Sequence, residues 1–420
     1  AFRGQQQAIV DHVTAGHDAL VLMPTGGGKS LCYQVPAIAR HRVGKGVTIV
    51  VSPLIALMHD PVGALEEVGV HAAFLNSTLS LEDTQRIERE MMAGRMVMLY
   101  AAPERVTNLR FQAQLASLHE RGLLSLFAID EAHCVSQWGH DFREDYLQLS
   151  MLHERFPDVP RLALTATADD HTRADMIERL QLQDARVFIS SFDRPNIRYT
   201  LVEKDNPRQQ LLRFIRDEHD GDAGIVYCQS RRKVEETADW LNQQGITALP
   251  YHAGLDAKVR QRQETGRAGR DGGDADAWLT YGLADVVNQR RMIDESPAAD
   301  DFKRIQRGKL DALLALAEAH DCRRVRLLSY FGEESQPCGN CDNCLRPPAT
   351  WDGTDAARKL LSCIYRFWQH GQQRFGAGHL VDVLRGKETD KVQQYGHQSL
   401  STFGVGADLS ENQWRAVLRQ

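Results

Sequence analysis

Short apolar runs recur through the first half of the chain, at Ala19–Met23, Val47–Val51, Met96–Tyr100, Leu124–Ile129, Arg161–Leu164 and Val187–Ser190, with little polar alternation inside them. Strands buried on both faces read this way. The polar-amphipathic stretches between them read as helices, so the pattern predicts a parallel sheet covered on both sides. A second α/β unit starts near Phe192, where Gly224–Cys228, Thr247–Tyr251 and Trp278–Tyr281 predict strands and Lys233–Gln244 a helix. Charged helical text follows from about Asp301 to Ser329, and the tail from Thr354 predicts helix before turning polar. The second unit is too short for its class. From Asp222 to Tyr281 there is room for about four strands, where a covered parallel sheet with its own core needs roughly 100 residues. The text runs from Lys258–Arg262 straight into Gln263–Arg270, which predicts a segment deleted, or skipped by the numbering, near 262/263.

Composition changes this picture little. A chain of 420 residues, 42% hydrophobic and 25% charged, is ordinary globular material for more than one core. No run of about 18 apolar residues occurs, so no membrane span is expected. Ala1–Gln7 do not form a signal peptide and begin inside a motif, which places the natural N-terminus upstream. The net charge of -6 is a weak argument against nucleic acid, since binding needs only a local basic track. Lys303, Arg304, Arg307 and Lys309, and again Arg323, Arg324 and Arg326, form basic clusters that solvated helix faces explain as well as DNA contact does.

Candidate chemistry begins at Met23-Pro-Thr-Gly-Gly-Gly-Lys-Ser30, which follows an apolar strand and precedes helical text. Glycines let backbone N–H groups converge on phosphate oxygens, and the helix start adds its positive dipole end. Thr25, Gly26, Gly27, Gly28, Lys29 and Ser30 are therefore candidate nucleotide-binding residues, with Lys29 on the outer phosphates of ATP and Ser30 on Mg2+. Met23 stands where the usual first glycine falls. About 100 residues on, Asp130-Glu-Ala-His133 ends the run Leu124–Ile129. A carboxylate at the tip of a parallel strand faces the ligand crevice, so Asp130 suits Mg2+ and Glu131 suits the attacking water. An acidic pair after a strand is also common as helix capping; Lys29 and Ser30 upstream favour the catalytic reading.

Eight cysteines divide into two sets. Cys32, Cys134, Cys228 and Cys363 stand apart beside apolar neighbours and read as buried free thiols. Cys322, Cys338, Cys341 and Cys344 have 15, 2 and 2 intervening residues. Paired C-x-x-C spacing with a more distant third partner suits a tetrahedral metal in a reducing compartment better than a disulfide framework.

The motifs taken together are similar to superfamily 2 helicases: Phe2-Arg-Gly-Gln-Gln6, Met23–Ser30, Val50–Leu57, Asp130–His133 and Thr165-Ala-Thr167. Cys134–Arg143, Ser191–Ile197, Tyr251-His-Ala-Gly-Leu255 and Gln263–Arg270 resemble the RecQ family in particular, and the resemblance spans essentially the whole chain. It implies an α/β fold of two RecA-like parallel-sheet domains followed by a helical zinc-binding subdomain and a winged-helix domain, at 1–190, 191–285, 286–348 and 349–420, the last of them truncated. It implies Gln6 and Arg3 at the adenine, Arg267 and Arg270 reaching the γ-phosphate from the second domain, and Zn2+ on the four clustered cysteines. It also implies a coupling loop in which His133, Trp138, His140, Phe142 and Arg143 connect DNA to hydrolysis; Trp138 by itself favours a core plug, and the adjacent Gly139, His140, Asp141 and Arg143 favour the loop.

Three departures stand out. Pro61 follows Asp60 where the family has glutamine, Glu144 replaces a frequent proline, and the family's motif between Tyr251–Leu255 and Gln263–Arg270 is absent. The activity implied is that of an ATP-dependent DNA helicase moving 3′-to-5′ on single-stranded DNA and unwinding duplex DNA in repair and recombination. It would be monomeric, with no membrane partner, and cytoplasmic or nucleoid-associated. Two alternatives remain at this point: a superfamily 2 RNA helicase, and a non-catalytic zinc-stapled DNA-binding scaffold that keeps nucleotide binding alone.

Overall fold

The computed structural model describes residues 2–53, 58–76, 79–136, 142–166, 168–252, 254 and 273–419. The chain divides into two compact units, Ala1–Pro347 and Pro348–Gln420.

The first unit begins with a sheet of seven strands in the order β3-β4-β2-β5-β6-β1-β7. They are β1 Ala19–Leu22, β2 Val47–Val51, β3 Ala72–Leu75, β4 Met98–Ala101, β5 Leu124–Ile129, β6 Arg161–Thr165 and β7 Arg186–Ile189. Every pairing is parallel. The apolar runs become strands because both faces are covered: β1, β2, β4, β5 and β6 are buried along their full lengths. One face packs on Ile9, Val13, Cys32 and Ala37 of the helices Gln6–Thr14 and Leu31–Arg42. The other packs on Phe111, Leu115, Leu118 and Met176 of the helices Leu109–Glu120 and Asp170–Arg179. Full burial of each such side chain contributes about 1.5–3 kcal/mol. Strand β3 has no counterpart among the predicted runs, because Ala72–Leu75 is a short edge strand with a half-buried middle.

Sheet order decides where chemistry can happen. Strand β6 lies between β1 and β5, so the loops leaving β1 at Met23, β5 at Asp130 and β6 at Ala166 emerge side by side from the carboxyl edge, where open α/β sheets bind ligands.

The second lobe departs from expectation. Its sheet has two parallel strands, β8 Ile197–Glu203 and β9 Ala275–Tyr281. The helices Pro207–Glu218 and Arg231–Gln243 form, and Phe214 stacks on Trp278 at 5.0 Å. The strands predicted at Gly224–Cys228 and Thr247–Tyr251 are absent: residues 222–228 and 246–252 carry no regular structure. Ile225 is 52% exposed, Tyr227 84% and Leu249 72%, and Cys228 is half-buried rather than buried. An apolar run makes a parallel strand only with hydrogen-bonded neighbours and covered faces, and the described residues supply neither here.

After β9 the helices Leu283–Glu295, Asp300–Ala317 and Arg323–Tyr330 lead into the cysteine-rich loop. The separate unit from Pro348 is helical among its described residues, with Leu360, Phe367, Leu380, Val383 and Trp414 in its core. Trp414 is fully buried, and its indole N–H donates to Gly406 O at 2.8 Å. A Cβ on Gly406 would lie 2.2 Å from that ring, so only glycine fits there.

Candidate nucleotide site and cysteine cluster

The loop leaving β1 is held from outside by Gln6. This buried glutamine accepts from Arg3 N–H at 2.7 Å and donates through Nε2 to Gly27 O at 2.8 Å and Gly28 O at 3.3 Å. Gly28 sits at φ +81°, and a Cβ there would meet the Gln6 amide nitrogen at 2.4 Å. Glycine is thus required by the backbone conformation and by the close approach of Gln6. Lys29 Nζ donates to Met23 O at 3.3 Å, folding across the loop. Ser30 immediately precedes the helix Leu31–Arg42, and its side chain makes no capping hydrogen bond. Of Arg3, the structure shows a backbone contact with Gln6 and an exposed side chain.

Asp130 stands at the tip of β5, its N–H donating to Val51 O at 2.9 Å and its carbonyl accepting from Tyr146 Oη at 2.9 Å. Burial pushes its carboxyl up to about 6; neighbouring Glu131 adds to this, while the Glu131 N–H and Lys29 pull it back. Buried Tyr33 and Tyr100, tilted edge to face at 6.3 Å, form the adjoining wall. Glu131 adopts the left-handed conformation at φ 47°, a strain of about 1–3 kcal/mol for a non-glycine residue of the kind kept at functional turns. Its carboxylate lies 3.3 Å from His133 Nδ1, which also meets Thr165 Oγ1 at 2.9 Å. The tips of β5 and β6 are thereby tied through one buried histidine.

Gln6, Thr25 to Ser30, Asp130, Glu131 and His133 therefore converge on one edge of one sheet. Arg143 lies beside the next loop, with NH1 donating to Pro53 O at 3.2 Å and N–H to Cys134 O at 2.9 Å, and Phe142 is half-buried. Trp138, His140, Arg267 and Arg270 lie outside the described residues, as does the junction near 262/263. Sequence reasoning missed Tyr146 and Arg194, whose NH1 donates to Thr25 O at 3.3 Å. Arg194 falls within the quoted stretch Ser191–Ile197, and that was the available signal.

The four clustered thiols lie within 4.8 Å of one another, with Cys338–Cys344 and Cys322–Cys341 sulfurs 4.0 Å apart. Zn–S bonds of about 2.3 Å in a tetrahedron put sulfurs about 3.8 Å apart, so the donor set fits zinc. The N–H of Cys338 donates to Cys322 Sγ at 3.3 Å, and the N–H groups of Asn340 and Cys341 donate to Cys338 Sγ. Burial works to raise the Cys322 thiol, yet the N–H groups of Cys338 and Val325 and the neighbouring thiols bring it down to about 7. Burial holds the Cys338 thiol up and pushes Cys344 up to about 12, so Cys322 is the most ready of the three to ionise, and the fit to zinc rests on the sulfur spacing.

The basic residues nearby are committed internally. Arg304 pairs with Asp301, Arg307 with Asp294, Lys309 with Asp169, Arg323 with Asp342, Arg324 with Asp193 and Arg326 with Asp321. Arg323 and Arg324 are buried, so these two are braces rather than an exposed track.

A glycine-rich loop and an acidic pair on one carboxyl edge of a parallel sheet suit a nucleotide-driven motor of the helicase class, and residues 3–176 match the family model described as DEAD/DEAH box helicase. Residues 283–345 match the RecQ zinc-binding model and residues 347–420 the RQC domain model. The chain is 42% identical to the ATP-dependent DNA helicase RecQ of Haemophilus influenzae, covering 100% of this chain and 73% of that protein. It is also 42% identical to the RecQ of Pasteurella multocida, over 100% of this chain and 71% of that protein, and 34% identical to that of Bacillus subtilis, over 96% and 73%. The chain belongs to the RecQ family of ATP-dependent DNA helicases. That membership sets aside both the RNA-helicase and the non-catalytic-scaffold readings. The first two alignments span 466 and 465 positions against 420 residues here, so those relatives carry at least 46 and 45 positions with no counterpart in this chain.

Proposed function

We propose that ATP is hydrolysed at the carboxyl edge of the seven-stranded sheet and that the resulting opening and closing of the two lobes moves the protein 3′-to-5′ along single-stranded DNA, parting duplex DNA ahead of it. The observation that carries this is the Lys29 loop, locked by Gln6, on the same sheet edge as Asp130 and Glu131, close enough for Lys29 to act on the Asp130 carboxyl. In this reading Thr25, Gly26, Gly27, Gly28, Lys29 and Ser30 wrap the phosphates, and Arg3 and Gln6 face the adenine. Ser30 and Asp130 hold Mg2+, which neutralises phosphate charge when bound. Glu131 orients and deprotonates the attacking water. Arg267 and Arg270 belong to the second lobe's contribution, since a guanidinium arriving from across a cleft makes hydrolysis depend on closure.

His133, Trp138, His140, Phe142 and Arg143 report the presence of DNA to this edge. His133 supports the role by touching both Glu131 and Thr165. Cys322, Cys338, Cys341 and Cys344 hold a structural Zn2+. The protein acts as a monomer among the chromosomal DNA of the cytoplasm, in repair and recombination; none of its described helices is long and apolar enough to cross a membrane.

Lys29→Ala tests the reading. ATP turnover with single-stranded DNA present should fall at least about a hundredfold, with DNA affinity within about twofold of the parent. Unchanged turnover would remove the loop from the chemistry, and stimulation by RNA rather than DNA would remove the substrate.

A further inference from the structure

Between β7 and β8 runs the segment Ser191–Asn196, and two arginines act on it from opposite sides. Arg194 reaches forward, its NH1 donating to Thr25 O at 3.3 Å. Arg324 reaches in from behind, from the second position of the helix Arg323–Tyr330. Its NH2 donates to Ile197 O at 2.6 Å and to Arg194 O at 3.1 Å, with Pro195 O at 3.4 Å, and its Nε lies 3.2 Å from Asp193 Oδ1. The Arg324 side chain is 6% exposed and lies over the Tyr199 ring. That helix starts directly after Cys322. The same small subdomain holds both flanks of the segment. Glu333 accepts from Phe192 N–H at 2.9 Å and from Ser191 Oγ, and Asp342 accepts from Leu201 N–H at 3.0 Å.

We propose that Arg194 is a positioning residue for the nucleotide's phosphates and that Arg324 sets where Arg194 stands, so the cysteine-bound subdomain adjusts the phosphate loop from a distance. The inference rests on reading Met23–Ser30 as the nucleotide loop. A trans peptide points its C=O and its N–H in opposite directions. A donor clamped on Thr25 O therefore fixes the Thr25–Gly26 plane and turns the Gly26 N–H to the face opposite Arg194. Gly26, at φ 83°, would otherwise sample many orientations. A guanidinium with its own backbone carbonyl held by a second, buried guanidinium is a rigid support. Without Arg324, the carbonyls of Arg194, Pro195 and Ile197 lose a charged donor and Asp193 its ion-pair partner, and the segment is free to shift. Gln6 holds the loop at Gly27 and Gly28 and Arg194 holds it at Thr25, so the two supports bracket the glycines.

The test is Mg2+-dependent binding of a fluorescent ADP to the full chain, with zinc content and circular dichroism measured on each variant. Arg194→Ala should weaken nucleotide binding about tenfold, the worth of one charge-assisted contact, with one zinc per chain retained. Arg194→Lys should recover most of that loss, because an ammonium still supplies one donor. Arg324→Ala should match Arg194→Ala with zinc retained, and the double variant should be no worse than either single one, since both remove the same support. Parental affinity in Arg194→Ala, additive losses in the double variant, or no rescue by Arg194→Lys would each overturn the proposal. Parental affinity in a parallel Lys29→Ala sample would instead strike the nucleotide reading, and this inference with it.

Discussion

Two lobes of one unit, written in similar sequence text, end differently. In the first, Val47–Val51 and Leu124–Ile129 pair as β2 and β5 and disappear from solvent. In the second, Gly224–Cys228 and Thr247–Tyr251 flank the well-formed helix Arg231–Gln243 but form no strand, and Ile225, Tyr227 and Leu249 stay exposed. Part of the difference lies in the runs, since Pro250 removes a ladder N–H from Thr247–Tyr251, and part in what surrounds them. A central parallel strand is stabilised by neighbours on both edges and helices on both faces. Among the described residues the first lobe has seven strands to share that task and the second has β8 and β9, in a chain with no counterpart for at least 46 aligned positions of its Haemophilus relative. Much of what orders β8 comes from outside its lobe: Asp342 holds Leu201 N–H and Arg324 holds Ile197 O.

The largest effect should come from removing that outside support. If the four thiols hold zinc as proposed, Cys338→Ser forfeits a binding energy on the order of 10 kcal/mol. Hydrogen exchange should then speed up across β8 and the helix Arg323–Tyr330 while β1, β5 and β6 keep their protection. If β8 stays as protected as before, the second lobe holds itself together and the contrast is false.

Next in size is a paired substitution. Phe127→Ala, in the fully buried centre of β5, should cost about 3–5 kcal/mol. Tyr227→Ala, at 84% exposure, should fall within about 0.5 kcal/mol of the parent. Denaturant titration measures both, and comparable losses would show that Tyr227 is packed in solution after all.

The smallest effect concerns the unit from Pro348, which has a single core and a buried histidine pair within it. His379 Nε2 meets His397 Nδ1 at 2.8 Å, and His397 Nε2 meets Gln373 at 2.7 Å. Burial, with His379 and His370 nearby, holds His397 down to about 4; burial and Lys391 also lower His379, against Asp382. The unfolded chain takes up these protons near pH 6.5 and the folded one does not, so stability is full above pH 6.5 and declines as pH falls toward 4. The slope from His397 is at most about 1.4 kcal/mol per pH unit. Protection factors at Ala377–Leu384, taken relative to the intrinsic exchange rate at each pH, should fall over that window, with the seven-stranded sheet as internal control. A flat profile would mean the pair is already protonated when folded.

Much of the candidate site was legible because its chemistry is local. Gly26 to Ser30 and the C-x-x-C spacing bring their atoms together within a few residues of backbone, whatever the rest of the chain does. Asp130 was legible because a strand tip is predictable from the run that ends there. Arg194, Tyr146 and Arg324 were not, since an arginine 169 residues from Thr25 shows its partner only once two segments have met. The buried fates of Arg323 and Arg324 were hidden for the same reason: charge in a sequence carries no sign of which carboxylate will face it.

Periodicity and short-range spacing marked six of the seven strands of the first lobe, the glycine-rich loop and the clustered thiols, because hydrogen-bonding period and ligand reach are properties of neighbouring residues. The order of the sheet, which sets the tips of β1, β6 and β5 side by side, was left to the tertiary structure. So was the exposure of two apolar runs and the grip of a distant helix on the segment between the lobes. Each of these depends on the free energy of contacts between residues far apart along the chain, and that energy exists only after they have been brought together.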